Sequence, residues 1–276
     1  MNTVAVDTHV HLYHGADPGM AFAAGRANLV AAARTVGGTP ETLALVVTDT
    51  SRHDAFDALA EERIAVRDWR IEALSHDAAA LRAIHANGDA LVVVAGRQIV
   101  SEEGLEILAL ATRQRFTDGR PIRAVLKDLR SRDIPAVLPW GLGKWIGARG
   151  RHMASLLAET EVGGLILGDN AGRPRGWLTP PLFRSAAAKA IPVLPGSDPL
   201  PIPGSEAGIG RYGCILQGQL DPDRPADDLR LRLLHLKGQP ATIGTRKGVR
   251  AVVADQIALR RRKAGRPSAG LPETTE

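Results

Sequence analysis

Short, β-rich apolar runs alternate with amphipathic helical stretches along most of this 276-residue chain, and the alternation restricts its fold more than any other feature. Each pairing of a run with a helical stretch reads as a β/α unit, in which the helix returns the chain so that the next strand lies parallel to the last. Neither a sandwich nor a bundle has this pattern. Strands are predicted over 3–6, 42–47, 63–74, 90–95, 136–139, 164–167 and 191–194, and a small hairpin joins 98–100 to 105–110 through Ser101-Glu102-Glu103-Gly104. Helices are predicted over 20–36, 51–61, 78–86, 122–131, 151–159 and 181–189. A hydrophobic content of 44% is ample for one large α/β core. The expectation is a single barrel-like domain over 1–258, extended from about 218, with a basic disordered tail over 259–276.

Polar residues recur where the apolar runs end. His9, His11, Asp49, Trp140, Asp169 and Asp198 all fall at C-terminal strand ends, the place where a β/α barrel carries its active site. In Asp7-Thr8-His9-Val10-His11, residues two apart share a face of a strand, so Asp7, His9 and His11 would project together. Paired neutral imidazoles suit a borderline divalent ion, Zn, Mn or Fe, and a carboxylate nearby can orient the rings. His14 lies close enough in sequence to join the metal shell or meet a substrate. Asp198 follows the small residues Gly196 and Ser197, which would let its carboxylate face a ligand, although Ser-Asp-Pro also opens turns. Asp49 reads equally as a helix N-cap, and Asp169 as a turn residue. Trp140-Gly141-Leu142-Gly143-Lys144-Trp145 sets an ammonium in a glycine-rich loop between two indoles, an arrangement suited to an anionic or planar ligand. The chain has no P-loop, no Gly-x-Ser-x-Gly elbow and no Gly-x-Gly-x-x-Gly after a strand, which disfavours nucleotide, serine-nucleophile and NAD chemistry.

Composition narrows the setting. Cys214 is the single cysteine, so an internal disulfide is excluded and a cysteine-based zinc site disfavoured. The first residues lack the basic and apolar regions of a signal peptide, and no run approaches the ~18 apolar residues of a membrane span, so a soluble cytoplasmic protein is expected. Eleven Lys and Arg lie between 230 and 266 against one acid, Asp255, which leaves the rest of the chain acidic despite a net charge of +5. This basic region reads first as a solvated helix end, with nucleic acid as the less favoured partner.

Taken in order, the strand ends resemble those of the PHP (polymerase and histidinol phosphatase) superfamily of metal-dependent phosphoesterases. Asp7-Thr8-His9-Val10-His11 is similar to its Asp-x-His-x-His motif, and Val46-Val47-Thr48-Asp49-Thr50 to its Thr-Asp-His strand end. Ala95-Gly96-Arg97-Gln98-Ile99-Val100 resembles Pro-Gly-x-Glu-Ile-Ser, Glu106-Ile107-Leu108-Ala109-Leu110 resembles His-Val-Leu-Gly, and Ala136-Val137-Leu138-Pro139-Trp140 occupies the place of an Ala-His-Pro strand. Pro195-Gly196-Ser197-Asp198-Pro199 resembles Ala-Gly-Ser-Asp-Ala-His. The likeness spans roughly 4 to 217. Thr50, Gln98, Glu106 and Leu200 stand where the family carries metal ligands, so its full trinuclear set cannot assemble.

The resemblance implies a distorted PHP-like β/α barrel of the TIM type and a hydrolase acting on a small anionic substrate such as a phosphoester. One or two ions would be held by His9, His11, Asp49 and Asp198, with Glu106 and Asp169 as replacement ligands. Metal-bound water would be the nucleophile, oriented or deprotonated by Asp198; Lys144 and Arg97 would neutralise the substrate, with Gln98, Trp140 and His14 near it. An amidohydrolase-type barrel is the second resemblance, carried by His9-x-His11 and the last-strand Asp198. A non-catalytic PHP-like barrel that binds a metabolite or macromolecule is the third reading.

Overall fold

The computed structural model describes residues 2–159 and 165–264. Among these, eleven strands join in one sheet whose main path is β11-β10-β1-β2-β5-β6-β7-β8-β9, with a β3–β4 hairpin paired onto β5. The strands of the first half are β1 (Thr3–Val10), β2 (Thr42–Asp49), β3 (Trp69–Leu74), β4 (Asp77–His85), β5 (Ala90–Val100) and β6 (Glu106–Leu110). Those of the second half are β7 (Ala136–Pro139), β8 (Leu165–Asn170), β9 (Val193–Gly196), β10 (Tyr212–Gln217) and β11 (Ala241–Gly244). Seven helices accompany them: α1 (Pro18–Arg34), α2 (Ala55–Ala60), α3 (Ile122–Ser131), α4 (Gly147–Ala158), α5 (Pro181–Ala188), α6 (Pro225–Leu234) and α7 (Val249–Ala264).

The sheet curls into a nearly closed barrel, and alternate residues of each strand bury on its two faces. Val4 and Val6 of β1 share an inner core with Leu108 and Leu110 of β6, Val137 of β7 and Ile166 of β8. The intervening Ala5 faces an outer core with α1, while Ile107 and Ala109 face a second outer core with α3, α4 and α5. Helix α6 plugs the inner core with Ala226, Leu229 and Leu233. Its N-terminal amides are capped by the buried Asp77, which accepts from Ala226 N–H at 2.6 Å and Asp227 N–H at 3.2 Å.

Three departures from the sequence reading concern direction and extent. β6, antiparallel to β5 as the expected hairpin requires, is antiparallel to β7 as well, and β10 is antiparallel to β1, so this is not the all-parallel barrel of the TIM type. Residues 78–86, read as a helix for their alanines, form β4 instead, because pairing with β3 on one side and β5 on the other overrides local propensity. Residues 259–264, assigned to a disordered tail, continue α7; the rest of that tail lies outside the described residues. No described helix is long and apolar enough to cross a membrane.

The barrel seam lies between β9 and β1. Thr8 Oγ1 donates to the Pro195 carbonyl at 3.0 Å, and Asp198 N–H donates to the His9 carbonyl at 2.8 Å. The two backbones approach so closely at Gly196 that a Cβ there would stand 2.5 Å from His9 Cβ and 2.9 Å from His9 N. A side chain would have to push the strand ends apart. Gly196→Ala should therefore destabilise the fold by about 1–3 kcal/mol, the scale of overpacking, measured as a lower urea midpoint with an unchanged slope.

Candidate metal centre

Strand β1 carries a β-bulge: between Asp7 and Val10 its register against β2 slips by one residue. The bulge breaks the alternation that would send Asp7, His9 and His11 the same way, and bulges re-aim side chains in this manner beside many functional sites. Asp7 turns to the seam, where its carboxylate accepts N–H groups from Ser197 (2.9 Å), Gly210 (2.8 Å) and His9 (3.3 Å). His9 and His11 instead bring their Nε2 atoms to 3.0 Å of each other, at the C-terminal end of the parallel strands.

Asp198 completes the cluster, with Oδ1 3.6 Å from both Nε2 atoms. Its backbone sits at φ +44°, a left-handed conformation that Asp and Asn adopt more readily than most residues. Its other oxygen, Oδ2, accepts from Asn170 Nδ2 at 2.8 Å, and that amide also donates to the Trp140 carbonyl at 2.7 Å. The carboxylate is thereby held with one oxygen turned to the two rings.

The donor chemistry fits a divalent ion. His11 Nδ1 lies 2.7 Å from the Thr48 carbonyl, which can only accept, so the Nδ1 proton is fixed there and the neutral ring presents a lone pair at Nε2. Donors bound to one ion at ~2.1 Å stand about 3.0–3.4 Å apart, close to the 3.0, 3.6 and 3.6 Å separations found here. Among the described residues these three form the one group of His, Cys or acidic side chains with metal-binding spacing. Burial pushes the His9 pKa down to about 4 and lowers His11 as well, in both cases against the pull of the Asp198 carboxylate. Both rings are thus kept neutral, the form that ligates.

The other residues singled out from the sequence do not join the cluster. Asp49 caps α2, accepting from Ala55 N–H at 3.0 Å and Phe56 N–H at 2.9 Å. Asp169 is gripped by Arg173 at 2.7 and 2.6 Å and by the Tyr212 hydroxyl at 2.9 Å. Glu106 is paired with Lys144, and the charges of both reach His9. Arg97 is turned to Asp57 at 2.9 Å and Asp49 at 3.6 Å. Trp140 packs in the outer core with Met153 and Leu156, so only its carbonyl serves the site. His14 is exposed, its ring edge-on to His53 at 5.7 Å, and Gln98 lines a neighbouring cavity.

Two residues of the site escaped the sequence reading. Asn170 is the neighbour of Asp169, and adjacent strand residues point to opposite sides, so Asn170 meets Asp198 while Asp169 meets Arg173. Tyr13 stacks 5.2 Å from His11, continuing the 9, 11, 13 spacing, and burial together with the Asp198 charge holds its hydroxyl well above the ordinary phenol range.

Two measurements check this arrangement. The His9→Gln/His11→Gln protein should lose the Mn²⁺ or Zn²⁺ that the wild type retains after gel filtration, with an unchanged far-ultraviolet spectrum; equal metal content by elemental analysis would reject the centre. In the metal-stripped wild type, the unfolded chain protonates His9 near 6.5 while the folded one waits until about 4, so acidification through this window favours unfolding. Asp7 and Asp49, both pushed up to about 6 by burial, take protons first in the folded state and oppose the loss. The His9 contribution therefore appears as a difference: between pH 6.5 and 4 the wild type should lose more stability, in urea titrations, than His9→Gln.

No family model matches the chain, and no curated protein is similar to it. Among solved structures it is similar to PsfC from Pseudomonas syringae PB-5123, with 16% identity and a TM-score of 0.58 over 95% of this chain and 100% of that one. At that identity the likeness concerns the fold alone, a mixed α/β chain with a nearly closed, barrel-shaped sheet.

Proposed function

We propose that this protein is a divalent-metal-dependent hydrolase of the PHP-like type, acting on a small anionic ester, with a phosphoester the class that the resemblance implies. The observation that carries the reading is the convergence of two neutral imidazole Nε2 atoms and one carboxylate at the C-terminal barrel end, with the His11 tautomer set by the Thr48 carbonyl. With Asp49 and Asp169 committed elsewhere, three protein donors remain, a set for one ion rather than two. A Zn, Mn or Fe ion there would supply Lewis acidity, polarising the scissile ester and making water a nucleophile at neutral pH.

The chain's own groups do the positioning. Asn170 fixes Asp198 so that Oδ1 stays directed at the imidazoles, where it can orient water or accept its proton. Lys144, bound to Glu106 at rest, reaches an anionic substrate by exchanging one oxyanion for another, at little electrostatic loss. The half-buried Tyr13 ring stands beside His11 as one wall of the site, and its low polarity strengthens these contacts.

The competing reading is a barrel that has kept the fold and lost the chemistry. It is favoured by the same commitment of Asp49 and Asp169 to structural bonds. An assay of the metal-loaded protein against p-nitrophenyl phosphate, bis(p-nitrophenyl) phosphate and the amide p-nitroacetanilide separates them. Turnover of a phosphate ester is expected, and Asp198→Asn, which suits the same left-handed turn, should lower it by about 10²-fold or more without shifting the thermal midpoint. Amide turnover alone would favour the amidohydrolase reading, and a metal-free, inactive protein would favour the non-catalytic one.

A further inference from the structure

Beside the metal centre, at the exits of β2 and β5, lies a cavity of about 380 Å³ walled in part by Arg52, His53, Arg97, Gln98, Arg115 and Phe116. It adjoins the centre through two links. Thr48, whose carbonyl anchors His11, precedes Asp49 on the cavity wall. Tyr13 stands between them, its ring 5.2 Å from His11 on one side and 5.3 Å from His53 on the other.

The charges around this cavity are not balanced from within. Arg97, Arg113 and Arg115 all converge on Asp57, at 2.9, 2.9 and 2.8 Å. Burial alone would raise the Asp57 carboxyl, yet the three guanidinium groups hold it below its ordinary range. Asp54 is engaged by Arg63 at 3.0 Å, and the Asp49 carboxylate by the two amides of α2. Arg52, on the rim, has no acidic partner within salt-bridge distance among the described residues. Deeper in, Arg97 has a side chain only 8% exposed, and its Nε finds no acceptor at all. That nitrogen is itself closed to solvent, so Arg97 lends the cavity wall charge rather than an open donor. Gln98 adds an amide, which can donate to an anion without repelling it as the glutamate expected from the family resemblance would.

We infer that this cavity binds a small oxyanion group, a carboxylate or a phosphate, carried on the molecule processed at the neighbouring metal centre, with Arg52 and Gln98 as its donors and Arg97 adding positive charge from the wall. The anion site stands on the cavity itself; that the anion belongs to a substrate rests on the hydrolase reading. The metal centre would engage the bond to be cleaved, and this second site would hold the distal end of the same molecule. A volume of about 380 Å³ suits such a fragment.

Calorimetric titration of the full chain with inorganic phosphate and, separately, with acetate tests this, at low ionic strength and after removal of metal with a chelator. Saturable binding is expected without metal, and the tighter of the two anions identifies the class. Arg52→Gln should weaken it about tenfold, the loss of one charge-assisted contact, with no change in thermal midpoint because Arg52 is exposed. Gln98→Leu should weaken it less. Absence of saturable binding to the metal-free protein would overturn the inference. So would wild-type affinity in Arg52→Gln and Gln98→Leu together, or a loss produced by Lys144→Gln in their place. A protein that hydrolyses no ester and still shows the expected pattern keeps its anion site and loses only the hydrolase reading.

Discussion

One buried carboxylate holds the barrel closed. Asp7 is fully inaccessible to solvent and accepts three main-chain N–H groups: one from the bulge of β1, one from the chain leaving β9 and one from the turn before β10. Burial pushes its pKa up to about 6, which shows how much desolvation opposes the charge even with three donors around it. Without the carboxylate, three buried amides would lack an acceptor, at about 1–3 kcal/mol each. Gly196 completes the seam by letting the β9 backbone touch His9. His9 is itself part of these contacts and Asp198 is the residue after Ser197, so the geometry of the candidate metal site follows from the geometry of the seam.

The aspartates at the strand ends show how one residue type serves three purposes in one ring. Asp49 is drawn off by the free amides of a short helix, Asp169 by a bidentate arginine and a tyrosine, and Asp198 by neither. What distinguishes Asp198 is backbone conformation. Its left-handed φ swings the side chain over the two imidazoles, and Asn170 fixes it there. Strain of this sort persists when surrounding bonds over-determine it, here the Asp198 N–H to the His9 carbonyl.

Much of the fold was legible along the sequence, and the reasons it was not fully so are specific. α3 and β7 begin and end where the apolar pattern puts them, and the β5–β6 hairpin follows from Ser101-Glu102-Glu103-Gly104. β4 was misread because Ala78, Ala79, Ala80 and Ala83 favour a helix locally, whereas the pairing that makes them a strand comes from β3 and β5. The histidine pair was legible because its spacing is itself the signal. The fates of Asp49 and Asp169 were not, since a cap, an ion pair and a ligand present the same residue at the same strand end. Asp7 looked like part of the centre for the same reason, and only the bulge, invisible in a period-two pattern, turns it to the seam.

The arrangement of charge around the barrel mouth explains how three ligand side chains can still define a candidate site. On the β1–β9 side, two neutral rings and one carboxylate favour a cation. On the β2–β5 side, three arginines sharing Asp57, with Arg52 beyond them, favour an anion. Tyr13 and His53 stand between the two as uncharged aromatic walls: burial lowers the His53 pKa and raises that of Tyr13. Low-polarity matter between opposite fields screens them less than water would, so each side reinforces the preference of the other. An ion at the centre would draw an anionic ligand toward the cavity, and a bound anion would tighten the ion. By linkage, the coupling must be equal in both directions.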